Sequence, residues 1–482
     1  MSRRLGLPLA GLAVWRAGSQ VGARRPALMR LLSVLALVLG LTGALTAAPA
    51  GATQPRKALV PWLAPSRAPA HVPLQPGLPA GRWGPGIPGP GAWLPTGEPA
   101  AATPAASGIL WRVEQPTSAV GPNGALNAVS CAGPAACTGM GFYTNSADTF
   151  VPLAEAWNGT SWRIQATPNP AGATFAMMLG VSCSSARACT GVGIYTNSAN
   201  AFLPVAERWN GTAWRVQAIP LPAGARNADL TGVSCTSASI CFAVGGYTVS
   251  TGRAFELAER WNGTRWAIQA IPNPPGSAFK GLSGVSCTSA RACSAVGNYV
   301  NGGPLLTLAE RWNGTRWGIQ ATPNPPRRNA ALAGVSCTSA DACTATGYSI
   351  SSAQIVFPLA EAWNGTRWQI QPTPTPAGFA FFAPLPGVSC TSANACTAAG
   401  SWDNTAGNEF TLAERWNGIR WAIQATPNPA PPPSASALEG VSCTAARACT
   451  AVGTFGPPGF PGRTLAERWN GTRWAIQPTP NP

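Results

Sequence analysis

Fourteen cysteines are the residues of this chain whose spacing most plainly implies chemistry. They form seven Cys-x5-Cys pairs: Cys131/Cys137, Cys183/Cys189, Cys235/Cys241, Cys287/Cys293, Cys337/Cys343, Cys390/Cys396 and Cys443/Cys449. A zinc site needs closer pairs, usually joined by His, and a redox centre needs Cys-x2-Cys. Neither spacing occurs here, so an even count read with the export features below gives seven local disulfides. A loop that short is worth roughly 2 kcal/mol in the chain-entropy model, so each bridge clamps one turn and does not join distant parts.

Catalysis normally needs a residue that breaks a repeat pattern, and such residues are few. The only histidine, His71, lies outside the repeats, so they hold no His base or His metal ligand. Tyr143, Tyr195, Tyr247, Tyr299 and Tyr348 sit at or next to one repeat position. Trp402 and Phe455 take that place in the last two repeats, which marks a packing position and not a nucleophile. Glu155, Glu207, Glu259, Glu310, Glu361, Glu414 and Glu467 recur on an apolar strand face, where a carboxylate must be hydrogen-bonded or paired. A structural ladder of bonds to backbone, indole N–H or Arg is expected. The remaining acids, such as Asp148, Asp229, Glu256, Asp403 and Glu439, are scattered over different loops and read as solvated. A glycosidase pair would require two of them to meet. No cofactor or metal ligand set is legible. Asn-Gly-Thr, as at Asn158 and Asn470, matches a glycosylation sequon, but a turn explains it better.

The elements that carry these residues repeat every 50 to 53 residues, counted from Cys131 to Cys443. A tandem period of that size means one supersecondary unit packed against copies of itself. In the fourth copy, Leu282–Cys287 and Cys293–Tyr299 are β-rich runs joined by the Cys-x5-Cys turn. Thr307–Trp312 and Thr315–Thr322 form a second hairpin around Asn313-Gly314, for which a two-residue type I′ turn is expected. That register sets Trp312 opposite Thr315 and makes Trp312 and Trp317 diagonal neighbours. Four short antiparallel strands per repeat, copied seven times, define an all-β, seven-bladed β-propeller. An open solenoid is the structural alternative. A surplus strand copy, Trp111–Gln115, precedes the first repeat and would close the ring or cap an edge.

Ahead of the repeats, Arg24, Arg25 and Arg30 precede an apolar run ending at Ala50-Gly51-Ala52, the pattern of a cleaved signal peptide over 1–52, with Met29 as an alternative start. An uncleaved leader would be the only membrane contact. Residues 53–108 are a Pro/Gly/Ala-rich linker with no capacity for a core, and 109–482 form the propeller. A secreted or cell-envelope location follows. The net charge of +16 has no Lys/Arg run interleaved with stacking aromatics, which argues against nucleic acid.

The Ala-Val-Gly and Trp-Asn-Gly-Thr-Arg-Trp blocks resemble those of secreted tandem-repeat proteins from GC-rich bacteria, a family without an assigned function. More distantly, Ala295-Val296-Gly297 and Gly314-x-x-Trp317 resemble BNR-type and photosystem-assembly-factor propellers. The sialidase Asp-box departs here, with Trp312 at the Asp place and Glu310 at the Ser place. Val244-Gly245-Gly246-Tyr247 is kelch-like in one repeat alone.

One rim of such a ring carries the near-identical Cys and Asn-Gly turns. The opposite rim varies, which marks it as the contact surface. Its candidate ligand contacts are Phe175, Phe279, Arg327, Arg328, Phe379, Phe381 and Phe382, with Arg226 adding positive charge. The expected role is that of a monomeric, exported, non-enzymatic protein binding protein or polysaccharide. A propeller glycosidase or lyase, or a structural envelope component, are the alternatives.

Overall fold

A computed structural model describes residues 123–277, 279–326, 329–429, 435–457 and 462–482. The leader, the linker, the surplus copy Trp111–Gln115, Arg327 and Arg328 lie outside the described residues.

The first repeat folds as β1 (Gly124–Gly133), β2 (Ala136–Thr144), β3 (Phe150–Trp157) and β4 (Trp162–Gln165), an antiparallel sheet in sequence order. Six further repeats do the same. The last two sheets are also joined by one parallel bridge, Glu409 to Ala435. Alternation of apolar residues with period two, ended by Asn-Gly or Pro, explains each strand.

Every Cys pair lies directly opposite across its first hairpin. All seven are bridged: Cys131–Cys137, Cys183–Cys189, Cys235–Cys241, Cys287–Cys293, Cys337–Cys343, Cys390–Cys396 and Cys443–Cys449. Each bridge clamps one turn, as expected, but its two halves are not equivalent. The first cysteine is only partly buried. The second is a core residue: Cys137, Cys189, Cys241, Cys293, Cys343, Cys396 and Cys449 are 1–4% exposed. In six of the seven its sulfur meets a hydroxyl of the preceding blade, and at Cys293 that place is taken by Phe242. Cys189 Sγ lies 3.6 Å from Thr138 Oγ1, and Cys241 Sγ 3.6 Å from Thr190 Oγ1. Cys343 Sγ lies 3.5 Å from Ser294 Oγ, and Cys396 Sγ 3.5 Å from Thr344 Oγ1. The covalent loop is local, but its buried half packs between blades because it sits on the second strand, inside the sheet.

The second hairpin differs from expectation. Trp312 pairs with Trp317 and not with Thr315, which leaves a four-residue loop. Asn313 Oδ1 accepts the backbone N–H of Thr315 and of Arg316, both at 3.0 Å. Only Gly314 has positive φ, at 97°, whereas a type I′ turn needs it at both central residues. The Asx bond therefore decides the turn. The two indoles become direct partners with centroids 5.9 Å apart.

The core lies in the seams between neighbouring blades. Leu126, Leu153 and Trp157 of the first blade pack on Val452 and Ala466 of the seventh, so the ring is closed. A fully buried Leu such as Leu126 or Leu153 contributes about 1.5–3 kcal/mol. A polar girdle runs through the same seams. The Cys183 N–H donates to Ser130 Oγ at 2.9 Å, and five further Cys–Ser links follow, each from a blade to the one before it. Cys131 N–H to Ser442 Oγ, at 3.0 Å, completes the circle.

The sixth blade departs from the pattern. Its inner strand is shortened to Gly387–Ser392. The residues before it wedge between two blades: Val356 N–H donates to Phe381 O at 2.8 Å, and Asp403 N–H to Phe382 O at 2.9 Å.

Candidate functional site: the variable rim and the central cavity

The second-to-third-strand loops differ in sequence yet share one backbone in five blades. In the first, Asn145 N–H donates to Thr149 O, and Asp148 N–H to Asn145 O, both at 3.0 Å. The same pair of bonds recurs from Asn197, Val249, Ser351 and Asn404. The fourth loop residue has positive φ each time: Asp148, Asn200, Gly252, Gln354 and Gly407. Asn and Asp tolerate that conformation, and Gly adopts it at no steric cost. Between blades, Pro170, Pro222, Pro274 and Pro376 each open a Pro-x-Gly-x turn closed by a backbone bond of 3.0–3.3 Å. Gly at the third place has φ of 72–81°, which makes these type II turns. The rim is therefore a fixed frame on which side chains vary.

The aromatic candidates divide. Phe175 stacks on Phe150 at 5.5 Å, and Phe379 on Phe357 at 5.6 Å. Phe279 and Phe382 are partly buried against Leu305, Tyr348, Ile350 and Val356. Phe381 alone of the five is exposed, at 43%. Leu221, also 43% exposed, and Arg226 stand beside the turn at Pro222 and join it as rim residues open to a partner.

A central cavity of about 230 Å³ runs between the inner strands. Each blade lines it with one tripeptide, of which Thr231-Gly232-Val233 and Glu439-Gly440-Val441 are examples. The middle residue is Gly in six blades and Ala128 in the first, and at Gly180, Gly284 and Gly334 close approach excludes a Cβ. A Cβ on Gly334 would stand 2.6 Å from Pro386 O, and one on Gly284 2.8 Å from Ala333 O. Polar groups facing this cavity bond to backbone: Asn127 Nδ2 donates to Met178 O at 2.8 Å, and Thr231 Oγ1 to Leu282 O at 2.8 Å. Glu439 is the one carboxylate among its lining residues.

The seven repeated glutamates are all fully buried. Most of the expected partners are not there: Glu207, Glu259, Glu310 and Glu414 have no hydrogen-bond partner, and Glu155, Glu361 and Glu467 have only a weak threonine hydroxyl contact from the preceding blade. Burial instead raises their pKa, to about 8 for Glu207 and Glu414 and about 9 for Glu310. Thr464, Thr307 and Thr411 of the preceding blade, beside Glu155, Glu361 and Glu467, act in the opposite sense and more weakly. Desolvation with few or no partners disfavours the anion and favours the neutral acid in these groups.

One seam breaks the repeat. Where other blades place Pro or Thr, the third has Glu256, 2% exposed. Burial raises its pKa to about 7, and its charge in turn raises that of Glu310 across the seam. Asp229, raised to about 6 by burial, accepts the Gly246 N–H at 2.7 Å. Lys280, 3% exposed, sits 4.8 Å from the Phe255 ring centroid, and burial lowers its pKa. Sequence reasoning took Asp229 and Glu256 for solvated loop acids, and the structure buries both. The signal available was that Glu256 and Lys280 each interrupt an apolar or hydroxyl repeat position. None of these side chains lines the central cavity. Among the described residues, no three His, Cys, Asp or Glu side chains are arranged to hold a metal ion.

Together these features define a disulfide-clamped, seven-bladed β-propeller. No protein-family model matches the chain, and no curated protein matches it. Solved structures match in fold. One is described as YCF48 bound to D1 peptide, with 11% identity, 72% of this chain, 93% of that chain and a TM-score of 0.39. A protein of unknown function from Dyadobacter fermentans shares 11% identity over 62% of this chain and 95% of its own, with a TM-score of 0.44. YjhT shares 10% over 64% and 98%, with a TM-score of 0.40.

Proposed function

We propose that this protein is an exported, non-enzymatic binding module that contacts protein or polysaccharide through the variable rim of the propeller. One observation carries the reading: five loops and four turns of that rim keep one backbone while their side chains change. A rigid frame with exchangeable side chains is how recognition surfaces are built on stable scaffolds. Seven intramolecular disulfides fit an oxidising compartment outside the cytoplasm.

The test is binding of the oxidised protein to glycan arrays and cell-wall fractions, beside a Leu221→Ala/Arg226→Ala/Phe381→Ala variant. These three side chains are exposed, so their loss leaves the core intact. Phe379 and Phe382 are unsuitable targets, since both are packed. Loss of binding by the variant supports the rim as the site. Equal binding by both proteins moves the site elsewhere.

A further inference from the structure

The constant rim carries a charge pattern that the linear sequence conceals. Arg265, Arg316, Arg367, Arg420 and Arg473 each follow an Asn-Gly turn by two residues and are exposed. Blades one and two have Ser161 and Ala213 at that place, yet each regains an exposed arginine two residues later, Arg163 and Arg215. The first placement is the last residue of the turn and the second is the strand residue just after the Trp, so the two flank the outer-strand Trp. Every blade thus presents one exposed guanidinium near this rim. Arg187, Arg291 and Arg447 add exposed charge from the Cys turns, beside the Gly of the adjoining Asn-Gly turn.

Half-buried arginines tie the same rim together from blade to blade. Arg415 Nη1 donates to Ala446 O at 2.7 Å, and Arg468 Nη2 to Pro134 O at 3.1 Å. Arg208 lies 4.7 Å from the Trp261 ring centroid, and Arg468 4.9 Å from that of Trp157. Against this set, Asp341 is the one acid on the rim among the described residues, and it is paired with Arg311 at 3.2 Å. The turn asparagines commit Oδ1 internally, as at Asn313 with Thr315 Oγ1 at 2.8 Å. Apart from Asn364, whose Nδ2 donates to Gln369 Oε1 at 3.4 Å, their amide nitrogens remain as donors, so the surface is rich in donors.

We propose that the constant rim is a docking surface for an acidic, carboxylate-bearing polysaccharide, held by the ring of exposed arginines. Guanidinium forks match carboxylates in geometry, and exposed amides suit a hydroxyl-rich chain. Duplex nucleic acid is disfavoured because the outer-strand indoles are packed in the fold and, among the described residues, there is no helix to enter a groove. Ile419, 85% exposed, is the large apolar side chain at the turns themselves, and Ile164, Val216, Ile268, Ile319, Ile370, Ile423 and Ile476, 38–44% exposed, follow on the outer strands, so a lipid surface is the competing outcome that vesicles test. The seven repeated glutamates are fully buried and present no carboxylate to this surface. This inference is independent of the variable-rim reading, since the two surfaces lie on opposite ends of the ring.

The experiment measures binding of the full oxidised protein to immobilised polygalacturonate, with neutral dextran, duplex DNA and anionic vesicles as parallel probes. Two variants accompany it: Arg265/Arg316/Arg367/Arg420/Arg473→Gln on the constant rim, and Arg253/Arg463→Gln on the variable rim, both outside the proposed contact at Leu221, Arg226 and Phe381. Thermal midpoints of both should match the parent, because the replaced side chains are exposed. The expected result is binding to polygalacturonate and not dextran. It should weaken about tenfold or more when salt is raised from about 50 to 500 mM, and be lost in the first variant alone. No binding by the parent overturns the proposal. So does undiminished binding by the first variant, equal loss in the second, or tighter binding to DNA or vesicles.

Discussion

Replacing Glu414 by Gln tests whether the glutamate ladder is neutral. Glu414 is fully buried, has no hydrogen-bond partner, and has its pKa raised to about 8 by desolvation. The group's unfolded value is near 4.5. Its folded pKa is the higher one, so its contribution is fully present below pH 4.5 and is lost as pH rises to about 8. Across that window the unfolded chain releases the proton while the fold retains it. Each pH unit so spent costs about 1.4 kcal/mol, giving about 3 kcal/mol at pH 7 and about 5 at pH 8. Gln has the shape of the neutral acid and does not titrate. Glu414→Gln should therefore match the parent within about 1 kcal/mol at pH 4.5 and exceed it by up to about 5 at pH 8. Equilibrium urea unfolding of the oxidised protein from pH 4.5 to 8.5 measures this. A variant that is less stable than the parent at pH 8, or that keeps the parent's pH slope, would refute the neutral acid and imply an ionised, paired carboxylate.

Three further outcomes follow from the ring. Gly334→Ala places a Cβ 2.6 Å from Pro386 O and should cost about 1–3 kcal/mol, whereas Gly281→Ala, with nothing within 4 Å, should cost under about 1; denaturation midpoints compare them directly. Ser336→Ala removes the acceptor of the Cys390 N–H, a 2.9 Å bond, and should lower stability by about 1–2 kcal/mol, read in the same assay. Ile419→Thr restores the hydroxyl that bonds Asn Oδ1 in the other six turns and removes a side chain 85% exposed; a gain of a few tenths to about 1 kcal/mol is expected, with unchanged near-ultraviolet circular dichroism.

The sequence by itself determined the repeat, its four strands, the cysteine pairing and the ring of blades. These rest on local information: period-two alternation, Asn-Gly turns, and cysteines whose separation allows only a neighbour as partner. It failed at the second hairpin, where Trp312 meets Trp317, because the Asx bond of Asn313 outweighs the two-residue turn that Asn-Gly usually forms. Only the tertiary structure decided what depends on packing between blades. The pairing of Cys189, Cys241, Cys343 and Cys396 is local, but their burial against a neighbour's Thr or Ser is set by the ring. The glutamate repeat is visible in sequence, but whether a carboxylate finds a donor is set by the preceding blade, which offers Pro, Thr or Glu256. The loops at Asn145, Val249 and Ser351 look unrelated as letters and share one backbone in space. Arg163 and Arg316 occupy different repeat positions, and only the fold brings both beside the outer-strand Trp of their blade. Charge summed along the chain shows a modest excess, and folding gathers it onto one rim because the ring repeats a single orientation seven times.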